Sequence, residues 1–200
     1  MDIPDEELLS DLPRLLRKFP SLRDLAIEKY KGTQGGQLLL VMAGILPTLP
    51  HLKSLSLTPA KNVKISKNGT FYLFRALTNN RTIRTLSLQG SEEAINQTCI
   101  NELVKALQVN CTLEIVKLSG FWRKRDAFWN RFKPESKQSI EYFLHLNRSG
   151  IRRLQLDVNT SFERLQNVLV SNKDNLDHIF YLLLNNPCLV QSENTEKSLA

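Results

Sequence analysis

Histidine, cysteine, tryptophan and methionine are scarce in this chain, at three, three, two and two among 200 residues. The cysteines, Cys99, Cys111 and Cys188, are odd in number and have no CxxC spacing. That argues against a disulfide framework and points to buried thiols in a reducing compartment. His51, His145 and His178 stand in unrelated contexts, with no metal-ligand cluster around them. A phosphate-cradling Gly loop and a nucleophile elbow are also missing. The segment KGTQGG at 31–36 has three glycines but neither P-loop spacing nor its terminal Gly-Lys-Ser/Thr. These absences predict a chain that is not an enzyme and needs no metal or cofactor.

Long apolar runs are absent as well. None approaches the ~20 residues that span a bilayer. The longest candidate, QLLLVMAGILPTLP, is interrupted by Gly44, Pro47 and Pro50 and reads as a core helix. The opening MDIPDEELLSDLP is acidic and lacks the basic-then-apolar order of a secretory signal. The expected location is the cytoplasm or nucleus, away from membranes. Six Asn-x-Ser/Thr triplets begin at Asn68, Asn80, Asn96, Asn110, Asn147 and Asn159. In that location they are expected to serve turns and helix caps, through the hydrogen-bonding habits of Asn and Thr, not as glycan acceptors.

What the chain does have is a repeat. The pattern apolar-x-x-apolar-x-apolar occurs at Leu22, Leu25, Ile27 and again at Leu52, Leu55, Leu57. It returns at Ile83, Leu86, Leu88, at Leu113, Val116, Leu118 and at Ile151, Leu154, Leu156, with steps of 30, 31, 30 and 38 residues. The last pair in each copy alternates with polar residues, the signature of a short half-buried strand of about four residues. Between the strands lie single apolar helical stripes, such as Phe71, Phe74, Leu77 and Ile100, Leu103, Val104, Leu107. Each helix runs into an Asn- or Pro-containing turn, where Asn is expected to adopt the left-handed conformation that closes a helix. One unit of helix, turn, strand and loop cannot bury its own apolar faces; stacked units can.

The segment KALQVNCTLEIVKLSG (105–120) resembles a leucine-rich repeat, and the long period resembles the ribonuclease-inhibitor-like class. The likeness covers roughly residues 15–157. The usual Asn after the strand is missing, since TPAKN follows Leu57 and QGSEE follows Leu88. A second resemblance, carried by IEYFLHLNRSGIRRL and LDHIFYLLLNNPCLV, is to the C-terminal part of repeat proteins of diatoms and related algae. The resemblance implies an α/β leucine-rich-repeat solenoid, with a short curved parallel sheet on one side, helices on the other and helical caps at both ends. The expected divisions are a cap at 1–21, an array of about five units at 22–157 with an insertion at 121–137, a cap at 158–190 and a loose tail at 191–200. In the first cap, Ser10 is expected to start a helix with Pro13 in its first turn.

Two surfaces are candidates for function. The inner, concave face of such an array is its habitual binding surface. Strand alternation assigns to it Ala26, Glu28, Ser56, Thr58, Ser87, Gln89, Lys117, Ser119, Gln155 and Asp157. The row is small and polar and has no aromatic anchor. The second candidate is basic. Of the net charge of +7, residues 121–137 contribute +4, through Arg123, Lys124, Arg125, Arg131, Lys133 and Lys137 against Asp126 and Glu135. With Trp122 or Trp129 as an anchor, this segment could meet phosphates or an acidic partner. The competing reading is an amphipathic helix that packs Phe121, Phe128, Trp129 and Phe132 on the core and leaves its charges, Arg131 among them, in solvent. The sequence thus leads to a monomeric, non-catalytic scaffold for a protein partner, with nucleic-acid association through 121–137 as the rival.

Overall fold

The computed structural model describes residues 5–30, 35–60, 66–90, 94–120 and 128–150, together with Val170, Asp177, Ile179 and Phe180. The fifth strand expected near 151–156, the positions Gln155 and Asp157, residues 122–125, most of the C-terminal helices and the tail at 191–200 lie outside the described residues. The chain divides into two compact units, Met1–Leu144 and His145–Ala200.

Helices and strands alternate in the first unit: α1 (Asp5–Arg17), β1 (Asp24–Tyr30), α2 (Gly35–Ile45), β2 (Ser54–Pro59), α3 (Lys67–Leu77), β3 (Thr85–Gly90), α4 (Gln97–Val109) and β4 (Ile115–Gly120). Helix α5 (Pro134–Arg148) follows. The strands form one parallel sheet in the order β1-β2-β3-β4. They are six or seven residues long, longer than the four that alternation alone marks. The extension arises because the polar residue before the first alternating leucine, and residues after the second, also pair with the next strand.

The core lies between sheet and helices. It takes Leu55 and Leu57 from β2, Leu86 and Leu88 from β3, Leu39 and Met42 from α2, Leu73, Phe74 and Leu77 from α3, and Ile100, Leu103 and Leu107 from α4, all without exposed surface. Each such side chain contributes about 1.5–3 kcal/mol through removal from water. The burial of β2 and β3 alternates strictly, so their other face is the one left to solvent.

Local chemistry sets the helix ends. Ser66 caps α3 by accepting from the Gly69 N–H at 2.9 Å, and Asn96 caps α4 by accepting from the Cys99 N–H at 3.1 Å. At the end of α5, Gly150 takes φ +78°, a conformation that glycine adopts without the penalty a β-carbon would add.

Three expectations need correction. Helix α1 begins at Asp5, so Ser10 and Pro13 both sit inside it. Three acidic residues at its start suit the positive end of the helix dipole, and Pro13 costs a single bond, the one its missing N–H would make to the Leu9 carbonyl. Asn110 does not close α4 in a left-handed conformation; its backbone is extended, at φ −77° and ψ 120°. Its side chain makes the turn instead. Finally, the described aromatics of the insertion, Phe128, Trp129 and Phe132, do not share one helix. Phe128 and Trp129 are helical, the chain turns at Asn130 and Arg131, and a new helix starts at Pro134.

Candidate functional site

The exposed face of the sheet is built from residues that alternate with the buried leucines. Register places them in rows across the strands. One row runs Asp24, Ser54, Thr85, Ile115, and the next runs Ala26, Ser56, Ser87, Lys117. Beyond them Glu28 pairs with Thr58, and Gln89 with Ser119. All described residues of the predicted face therefore lie on one surface. Its centre, on β2 and β3, carries only hydroxyl and amide side chains, each half-buried. Its charges stand at the margins, Asp24 and Glu28 on β1 and Lys117 on β4. Neighbouring strands are about 4.8 Å apart, so four of them and three rows make a surface roughly 14 Å on a side.

The starts of the strands are held by a repeated device. The Arg23 carbonyl accepts from the N–H groups of both Lys53 (2.7 Å) and Ser54 (3.0 Å). The Lys53 carbonyl does the same for Arg84 and Thr85, and the Arg84 carbonyl for Glu114 and Ile115, all between 2.8 and 3.0 Å. Arg23, Lys53, Arg84 and Glu114 thus stand side by side along the N-terminal edge of the sheet. Arg23, Lys53 and Arg84 are exposed, and the Arg84 guanidinium lies 3.7 Å from the Glu114 carboxylate. Sequence reasoning missed this column. It is marked in the repeat as the residue directly after Leu22, Leu52, Ile83 and Leu113.

Two asparagines orient the turns that feed these strands. The Asn80 Oδ1 accepts from the N–H groups of Thr82 (3.0 Å) and Ile83 (2.8 Å). One repeat later the Asn110 Oδ1 accepts from those of Thr112 (2.9 Å) and Leu113 (2.8 Å). The Asn110 Nδ2 also donates to the carbonyls of Leu77 (2.7 Å) and Asn80 (2.8 Å), tying its turn to the preceding one.

The described part of the basic insertion is packed. Phe128, Trp129 and Phe132 meet edge to face, with centroids 5.3–5.9 Å apart, and Phe128 has no exposed surface. Arg131 does not extend into solvent as expected from the sequence. Its guanidinium lies over the Phe128 and Phe132 rings at 4.5 and 4.7 Å and donates to the Ile95 carbonyl. Lys133 is exposed, and its backbone N–H donates to Gln97 Oε1 at 2.9 Å.

Cys99 and Cys111 are buried, and burial pushes the Cys99 thiol above its ordinary pKa. Burial also raises the Tyr30 phenol well above its usual value, and its hydroxyl has no hydrogen-bond partner among the described residues. Within the same described set, no three His, Cys, Asp or Glu side chains gather in a metal-binding group. Nor is any described helix long and apolar enough to cross a membrane. No model of a known protein family matches the chain. No curated protein matches it in sequence.

Proposed function

We propose that this chain is a short leucine-rich-repeat-like solenoid that acts as a non-catalytic protein-interaction module. The observation that supports this most strongly is the in-register polar face, in which each unit contributes equivalent positions to one surface. Parallel strands tied by repeated backbone bonds hold that surface before a partner arrives, so little ordering cost falls on binding. The concave side of the solenoid, with Glu28, Ser56, Thr58, Ser87, Gln89, Lys117 and Ser119, is the contact surface. The protein works as a monomer in the cytoplasm or nucleus.

Area constrains the partner. A square of about 14 Å gives roughly 200 Å², whereas a stable interface takes about 800 Å² from each partner. The partner must therefore reach past the rows onto the sheet margins, and the cations Arg23, Lys53 and Arg84 lie on one of them. Affinity capture from matched cell extract, at low and moderately high salt and with a nuclease-treated arm, tests the proposal. A protein retained in every condition is the expected result. Recovery of nucleic acid that disappears at higher salt would overturn it, because phosphate contacts weaken steeply with salt.

A further inference from the structure

We infer that the shallow groove between α2 and α3 docks a short peptide of a partner protein, one that joins a bulky apolar residue to a carboxylate. The groove lies on the outer surface of the two helices and is separate from the sheet face. Leu40 and Tyr72 stand at its walls with 41% and 48% of their surface exposed. Ala43, Gly44 and Ala76 complete the lining, and the space amounts to about 420 Å³. A second hollow of about 250 Å³, bounded by Pro47, Pro50 and Arg81, shares Ala76 and Asn79 with it.

Charge identifies the occupant. Between Glu28 and Glu92 the sequence contains no Asp or Glu at all, yet it contains nine Lys and Arg residues. Arg75 lines the groove and Arg81 lines the adjoining hollow. No carboxylate among the described residues pairs with Arg75. An apolar wall beside an exposed guanidinium is complementary to a peptide that carries both a large side chain and an acid. A phosphate polymer would leave the wall unused, and a purely apolar segment would make no use of Arg75.

Gly44 makes the test clean. It lies in α2, and a β-carbon built on it meets no atom within 4 Å, so Gly44→Leu fills the groove without disturbing the core. A random peptide library displayed on phage is selected against the full chain, and the enriched peptide is then titrated against variants. The expected peptides combine Leu, Phe or Trp with Asp or Glu. Their affinity falls about tenfold or more with Gly44→Leu and with Arg75→Glu, a loss typical of a contact that matters. It is unchanged in Ser87→Arg on the sheet face, and the Tm of Gly44→Leu is no lower than that of the wild type. Failure to enrich any peptide, enrichment without carboxylates, or full affinity for Gly44→Leu overturns the inference. Loss of binding in Ser87→Arg alone assigns the peptide to the sheet face and overturns it too, while leaving the proposed function standing.

Discussion

Asn110 retains 1% of its surface and bridges two turns that lie thirty residues apart in sequence. Its amide donates to the Leu77 and Asn80 carbonyls while its oxygen accepts from the Thr112 and Leu113 N–H groups. Replacement by alanine strands buried donors and acceptors on both sides, each at a cost of about 1–3 kcal/mol. Chemical denaturation of Asn110→Ala is expected to show a loss of roughly 3 kcal/mol or more. Asn80→Ala, which removes side-chain bonds only within its own turn, should lose about half as much. Tyr30 gives the opposite case. Its folded-state pKa lies above its unfolded value near 10. The folded protein therefore holds a proton that the unfolded chain releases, and this stability is complete below that pH and declines as pH rises above it. Tyr30→Phe is expected to keep or increase stability at neutral pH, since no described partner loses a bond. It should also flatten the alkaline fall, as followed by Tm from pH 8 to 11.

At the scale of elements, the segment before α5 shows how packing and charge divide. Arg131 is clamped between two rings and a carbonyl, whereas Lys133 extends into solvent. Arg131→Lys keeps the charge but loses the planar fork and its stacking, and should cost about 1–2 kcal/mol in thermal or urea unfolding. Lys133→Ala should stay within about 0.5 kcal/mol. Equal effects would show that the stacking has no structural weight. The strands and helices α3 and α4 were readable from the spacing of leucines, because burial on one face imposes a strict period. The start of α1 was not, because Pro13 looks like a first-turn residue and the acidic residues of the real first turn carry no apolar mark. The turn in the aromatic insertion is hidden in the sequence for a related reason. Its residues match a helical period, yet three rings and a guanidinium pack as well around a turn. The predicted face was readable wherever alternation held. The column Arg23, Lys53, Arg84 escaped notice because it falls between the two residues that a strand pattern weighs.

At the scale of the molecule, charge is unevenly spread along the chain. The stretch between Glu28 and Glu92 holds no acid, and Arg23, Lys53 and Arg84 repel one another across neighbouring strands. Raising salt should therefore stabilise the fold, by on the order of 1 kcal/mol between about 10 and 300 mM NaCl, as the Debye length shrinks. Lys53→Glu, which sets a carboxylate between two arginines, should raise stability at low salt by about 0.5 kcal/mol and lose that gain as salt increases. A Tm that falls with salt would contradict this picture.

The central claim, that the exposed sheet face recognises a protein, is tested most directly by comparing three forms of the full chain in affinity capture from the same extract. These are the wild type, a sheet-face variant carrying Ser56→Arg and Ser87→Arg, and a basic-segment variant carrying Arg123→Glu, Lys124→Glu and Arg125→Glu. The two serines sit opposite one another at the centre of the face, where long cations obstruct docking without entering the core. The account predicts a protein partner retained by the wild type and the basic-segment variant and lost by the sheet-face variant, whose Tm remains near that of the wild type. Retention by the sheet-face variant together with loss by the basic-segment variant would contradict it and move the binding function to residues 121–137.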